Sequence, residues 1–221
     1  MVRHKREVFI GSSILIIATL AFLFGWTNLF TVKSVSVSGS PNSEITKQVL
    51  NIADIQRGEK LARVEPRNIS AKLSLAGIDW VKEVKISRNW LSRNVEIKIS
   101  ARNPVAKAGD RFVDSDGVLF ASPISVSEKL ATISAGNSTS RAAAVAFYLS
   151  LPSDIRANIT KVSASSTDNF QIVLNEKLQI NWGSNSNTDV KVKIYKALID
   201  LPENKKINQM DVSDPTKPTV K

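Results

Sequence analysis

From Val8 to Val32 the chain carries no Asp, Glu, Lys, Arg or His. The centre of this run, Ile14 to Phe24, is nearly all Ile, Leu, Ala and Phe. A helix needs about 20 apolar residues to cross the hydrocarbon core, because each adds about 1.5 Å. A lone segment there can satisfy its backbone only as a helix. Trp26 falls near one end, where amphipathic rings favour the interface. The run therefore predicts a transmembrane helix over residues 8–30. A signal peptide is the competing reading, but its apolar region usually spans about 7–15 residues before a small-residue cleavage site. The run is too long for that, and Ser34-Val35-Ser36 sits in a predicted strand, so the expectation is an uncleaved anchor.

Orientation follows from the tail, residues 1–7. Arg3, Lys5 and Arg6 precede the anchor and only Glu7 opposes them. Positive residues beside a span stay in the cytoplasm, so about 190 residues are expected outside, in a type II arrangement. Lys33 on the far side is a weak counter-signal. The net charge is +10, of which the tail contributes +2. A basic exported domain is attracted to anionic lipid headgroups or acidic wall polymers, but a soluble face with scattered lysines is the simpler explanation of the charge. Nucleic acid is in the wrong compartment to be a partner.

The chain has no cysteine, and its one histidine, His4, lies in the predicted cytoplasmic tail. Disulfides, thiol nucleophiles, Ser-His-Asp triads and Cys- or His-based zinc sites are therefore excluded outside. No cofactor and no metal are expected. A Ser-Lys dyad or a carboxylate pair remains formally open.

Beyond the anchor, residues 31–103 read as one compact unit. Val35 and Val37 alternate with serines up to Gly39, which predicts a strand. Ser43 is placed to cap a helix over Thr46–Ala53, with Ile45, Val49 and Ile52 on its apolar face. Pro66 suits the first turn of a second helix whose apolar side holds Ile69, Leu73, Leu75 and Ala76. Val84 and Ile86, then Val95, Ile97 and Ile99, alternate with polar residues, and Asn89–Asn94 can turn the chain between them as a hairpin. The order is βααββ.

Pro104 marks a boundary, and residues 104–221 read as a mainly antiparallel β domain with flanking helices. Strands are predicted around Phe112–Phe120, with a turn at Asp114–Gly117, and at Leu130–Ser134, Lys161–Ser165, Phe170–Leu174, Leu178–Trp182 and Ile207–Val212. Helices are predicted over Arg141–Leu151 and from Thr188 to near Pro202. The fold class is thus α+β.

Few residues suggest chemistry. Asp110, Asp114 and Asp116 cluster, and paired carboxylates can act as acid and base or hold a cation. The Asp114-x-x-Gly117 spacing between apolar strands is better explained as a tight turn. Ser36 and Ser38 follow the anchor, as in membrane-bound Ser-Lys peptidases, but they alternate with core valines. Trp80 and Trp90 could stack on sugars, although aromatics flanking strands more often pack in a core. An enzyme is not expected.

Taken together, these residues resemble the FtsQ/DivIB division proteins of bacteria. Phe30, Val32, Val35, Val37 and Gly39 match the opening of that family's POTRA domain. Trp80, Val81, Val84, Ile86 and Arg88 match its Trp-Val-x-x-Val-x-Val-x-Arg segment. Arg102-Asn-Pro104-Val-Ala106, Asp114-x-x-Gly117-x-x-Phe120 and Met210–Pro215 resemble its later elements. Leu91 stands where the family usually has Pro, in a turn one residue longer, and Ala101 stands where it usually has Glu.

The resemblance implies a non-enzymatic divisome scaffold in the bacterial plasma membrane at the division septum. Such a scaffold binds FtsB/DivIC-like and FtsL-like membrane partners and helps control septal peptidoglycan synthesis. The alternatives are a POTRA-type secretion or chaperone component and a membrane-anchored wall enzyme. The partner-binding residues expected from pattern and resemblance are Met210, Val212, Asp214, Thr216, Thr219 and Val220. In this reading the segment from Ile207 to about Val220 is the docking edge. Ile207–Val212 pairs into the sheet as an edge strand, Pro215 and Pro218 break its continuation and guard it, and Thr216, Thr219 and Val220 stay free to meet a partner strand. A frayed tail and the helix from Thr188 are the competing assignments.

Overall fold

A computed structural model describes residues 2–25, 28–126 and 129–221. The chain divides into two compact units, Met1–Ala101 and Arg102–Lys221. The first begins with helix α1, Val2–Gly25, of 24 residues. Ile14, Leu15, Ile16 and Ile17 on α1 are each more than half exposed, so apolar side chains project on every side of it. Among the described residues no helix is long and apolar enough to cross a membrane. Of the predicted span over 8–30, residues 26 and 27, with Trp26 among them, lie outside the described residues.

The rest of unit 1 is βααββ: β1 Ser34–Ser38, α2 Ser43–Ala53, α3 Pro66–Leu75, β2 Val81–Asn89 and β3 Asn94–Ala101. The sheet order is β1-β3-β2, with β1 parallel and β2 antiparallel to β3. The central position of β3 decides where the core sits. Val95, Ile97 and Ile99 are buried, whereas Val84 and Ile86 on edge strand β2 are only half-buried. Val32, Val49, Leu61, Ile69, Leu73 and Trp80 complete this core. Two details of the sequence reading are corrected. The cap of α2 is Asn42, whose side chain accepts from the Ile45 N–H, and Ser43 is the first helical residue. Leu75, placed on the apolar side of α3, is 87 % exposed.

The motif residues have local physical reasons. Gly39 has φ +80°, and a Cβ there would lie 2.0 Å from the Ile99 carbonyl oxygen, so only glycine fits. Arg88 donates from Nη1 to the carbonyls of Leu61 and Val64, which fixes the segment between the two helices on the sheet.

Unit 2 is built on one nine-stranded sheet. Its strands are β4 Ala106–Ala108, β5 Arg111–Val113, β6 Leu119–Phe120, β7 Thr132–Ala135, β8 Ile159–Ser166, β9 Asn169–Leu174, β10 Leu178–Gly183, β11 Gln209–Asp211 and β12 Thr219–Val220. The order is β12-β11-β10-β9-β8-β7-β4-β5-β6. Helices α4 Ser138–Ser150 and α5 Ser153–Arg156 connect β7 to β8, and α6 Thr188–Asp200 connects β10 to β11. Both connections join parallel strands, as does the β4–β7 pairing. The sheet is therefore mixed. Five of the eight pairings are antiparallel and three parallel, so the domain is mainly antiparallel as expected, and only the parallel pairings made by the helical crossovers go beyond that expectation.

One face of the sheet is covered. Phe147 of α4 stacks on Phe170 with ring centroids 4.5 Å apart and meets Trp182 at 5.7 Å. Ile172, Ile180, Val162 and Ile133 fill the same layer, each at most 2 % exposed. The opposite face is polar, with Thr132, Lys161, Gln171, Gln179 and Gln209 exposed along successive strands.

Candidate partner-binding edge

The end of the sheet is assembled from α6 outward. Lys191 on α6 is only 1 % exposed and donates from Nζ to the carbonyls of Trp182 and Ser184, at 2.9 and 2.8 Å. This clamps the end of β10 to the helix. Burial pushes the Lys191 ammonium below its usual range, and the charges of Asp168 and Asp211 oppose that push. β11 then returns parallel to β10, with Ile180 opposite Met210 and Asn181 opposite Asp211.

Asp211 anchors this corner. One carboxylate oxygen accepts from the Ser213 N–H and hydroxyl at 2.8 and 2.6 Å, and the other from Asn181 Nδ2 at 2.7 Å. Burial alone would raise its pKa, but these hydrogen bonds, with the Lys191 charge, bring it below the ordinary carboxylate value. The chain then reverses. Asp214 Oδ1 accepts from the Thr216 N–H and hydroxyl, and the Asp214 carbonyl accepts from the Lys217 N–H. This is an Asx-type turn. It carries the chain through Pro215 and Pro218 back along β11 as β12, antiparallel to it.

The pairing identifies the open groups. Gln209 and Lys221 exchange both backbone bonds, at 3.0 and 3.2 Å. In an antiparallel pair the next residues, Met210 and Val220, form a non-hydrogen-bonded pair. The N–H and C=O of Val220 therefore point away from β11. Two residues back, Pro218 can offer only a carbonyl. Among the described residues no strand lies outside β12. The edge presents one donor and two acceptors, beside a shallow depression of roughly 240 Å³ bordered by Gln179, Gln209, Thr219 and Lys221.

The expected site residues thus separate. Met210 and Val212 are 3 % and 0 % exposed and belong to the core, so their side chains cannot meet a partner. β11 is an interior strand because β12 covers it, which corrects the expectation that Ile207–Val212 is the edge. Asp214 and Thr216 are exposed but engaged in the turn, while Thr219 and Val220 lie on the edge itself. Lys221 and Gln209 were missed. The signal for the reversal is Asp214-Pro-Thr, a turn sequence.

The candidate chemical groups are accounted for structurally. Asp114 is 1 % exposed; its carboxylate accepts from the Asp116 and Val118 N–H groups and pairs with Arg102. Gly117, φ +77°, closes this turn so near Ala142 that a Cβ would lie 2.5 Å from the Ala142 Cα. Ser36 accepts from Asn94, and Ser38 donates to Glu96 across β1 and β3. Trp80 is in the core. Among the described residues no group of three or more His, Cys, Asp or Glu could hold a metal ion.

Comparison with known proteins matches both units. The family model "Cell division protein FtsQ/DivIB, C-terminal" matches residues 101–213, and "POTRA domain, FtsQ-type" matches residues 30–102. The first match stops short of β12. The chain is similar to Cell division protein FtsQ of Mycolicibacterium smegmatis, at 29 % identity over 217 residues, covering 95 % of this chain and 62 % of that protein. It is also similar to Cell division protein FtsQ of Streptomyces venezuelae, at 27 % identity over 225 residues, covering 95 % of this chain and 80 % of that protein. It therefore spans less than two thirds of the Mycolicibacterium protein's length.

Proposed function

The chain belongs to the FtsQ/DivIB family of cell division proteins, and from that premise we propose that it is a non-enzymatic divisome scaffold whose β12 edge binds a membrane partner. The partner is a small single-span coiled-coil protein of the FtsB/DivIC type, with an FtsL-type protein in the same assembly. Through them the scaffold helps to control septal peptidoglycan synthesis. The observation that carries this reading is the outward-facing backbone of Val220 on a short, open edge. An added strand would complete those bonds and read the alternate side chains Thr219 and Lys221.

The scaffold sits in the plasma membrane at the septum, with α1 as its span, residues 1–7 inside and the two folded units outside. What supports the span is the uncharged run from Val8 to Val32 and the exposure of four consecutive apolar residues, Ile14 to Ile17. Water does not tolerate such a helix, whereas lipid does.

A photocrosslinker at Thr219 in dividing cells tests the docking edge. It should capture the coiled-coil partner. A chain ended after Asp214 retains Val212 in the core and the Val212 N–H bond to Asn181. That chain should insert in the membrane and fold, yet capture nothing from the remaining corner. Undiminished capture by the shortened chain, or capture only from the exposed face of α6, would place the interface elsewhere.

A further inference from the structure

We infer that the tip of the β2–β3 hairpin docks on the anionic headgroup layer of the bilayer that α1 enters, an inference that rests on the span proposed above. The tip carries apolar groups that the fold does not bury. Leu91 is 97 % exposed and Leu29 is 57 % exposed, and Trp90 is half-buried. Single exposed leucines are ordinary on soluble proteins. Here, however, the chain neighbours of Leu29 and Leu91 are joined by a specific contact. Trp90 meets Phe30 edge to face, with ring centroids 6.0 Å apart, and the Arg93 carbonyl accepts from the Lys33 N–H at 2.8 Å. The hairpin is thereby tied to residues 30–33.

Position follows from chain length. Phe30 is five residues beyond the end of α1 at Gly25, which is at most about 18 Å of extended chain. A span ending there places Phe30, and the hairpin tied to it, within reach of a headgroup layer about 5–7 Å thick. The shape of the tip matches that layer. Asn89 Oδ1 accepts from the N–H groups of Leu91 and Ser92, which holds the Leu91 side chain out from the turn. Arg88 lies over the Trp90 ring at 5.6 Å and fixes it as an amphipathic plate.

Charge selects the lipid. Lys33 is exposed and Arg93 half-exposed beside the apolar tip, and Lys60 pairs with Thr31 across an isolated bridge. From Lys85 to Val95 there is no acidic residue. The opposing carboxylates are Glu59, next to Lys60, and Glu96, engaged by Ser38. An apolar tip ringed by cations suits an anionic surface, where each basic group near the membrane contributes about 1 kcal/mol.

The chain has no cysteine, so single nitroxide labels on the full chain in phosphatidylglycerol nanodiscs test the inference. A label at Leu91→Cys should collide severalfold more with oxygen, and severalfold less with a water-soluble nickel chelate, than one at Leu75→Cys, a site 87 % exposed on α3 against 97 % for Leu91. The contrast should shrink when Lys33 and Arg93 are both replaced by Glu. A label at Leu20→Cys separates the two readings. If Leu20 reports lipid while Leu91 matches Leu75, docking is overturned and the span stands. If Leu20 itself is aqueous, the span fails and the docking inference fails with it.

Discussion

The two ends of the nine-stranded sheet carry the same liability and manage it differently. At one end β6 turns the Leu119 carbonyl outward, and Arg111 Nη2 donates to it at 3.3 Å. The turn feeding β6 is locked by the buried Asp114, its Arg102 partner and the close seat of Gly117 on Ala142. At the other end β12 is fed by a surface turn on Asp214, and among the described residues no side chain engages the outward groups of Val220. An unpaired edge is a template for another strand unless it is guarded. Here one edge is guarded by arginine and a buried carboxylate, the other only by the missing N–H of Pro218. The difference separates a structural end from an end suited to strand addition.

The largest effect that sharpens this comparison is expected from Arg102→Ala. Asp114 would keep its two backbone donors and lose its cation while remaining buried. Breaking such a pair costs about 3 kcal/mol, at the low end because the arginine is partly exposed. Hydrogen exchange should show the amides of β5 and β6 losing protection while those of β9 and β10 and the partner capture at β12 are retained. Equal loss across the whole sheet would mean that the two ends are not independent.

Val220→Pro probes the open end with a smaller effect. It removes the outward N–H, which β11 does not use. One hydrogen bond contributes about 0.5–1.5 kcal/mol net, or roughly two- to tenfold in affinity. Because the Val220 side chain also packs on the core, Val220→Ala is the reference: it keeps the N–H and loses the packing. Calorimetric titration with the partner's soluble segment should rank the parent and Val220→Ala above Val220→Pro. Equal binding by the two variants would remove the strand-addition model while leaving the family assignment intact.

Much of this architecture was legible in residue patterns. The βααββ order followed from alternation and two helix starts, because each element of unit 1 buries one face and repeats with its own period. The alternation could not rank the strands. Val84 and Ile97 look alike in sequence, yet only Ile97 is fully buried, because parallel pairing of β1 made β3 central. The same gap misplaced the edge of unit 2. Met210 and Val212 read as an exposed strand because the pairing of β12 depends on a reversal through two prolines. A proline removes a donor without forbidding a turn, so the two prolines that look like edge guards lie instead in the reversal that pairs β12 with β11.

The smallest expected effect concerns pH, and it separates the two acidic turns. Asp211 is held below the ordinary carboxylate range by Ser213 and Asn181 against the opposing effect of burial, and Asp214 is lowered by the Thr216 hydroxyl and N–H. A carboxylate whose folded pKa is depressed contributes stability that is fully present above its unfolded value, about 3.9. That stability is lost as pH falls through the folded value, because protonation then favours the state in which the group is not engaged. Both groups belong to the β11–β12 corner, so acid should loosen that corner before the helix-covered strands β8 and β9. The Ser213 N–H and the Asn181 side-chain amide report it directly, since each donates to Asp211. Their NMR shifts should titrate together below about pH 4, with the Lys221 amide following as its bond to Gln209 opens. In Asp211→Asn the acceptor for Ser213 survives but the titration should vanish, leaving only the exposed Asp214 to respond. If the corner and β8–β9 instead lose their signals at one pH, the edge is no softer than the core, and the contrast between the guarded and open ends would rest on backbone geometry alone.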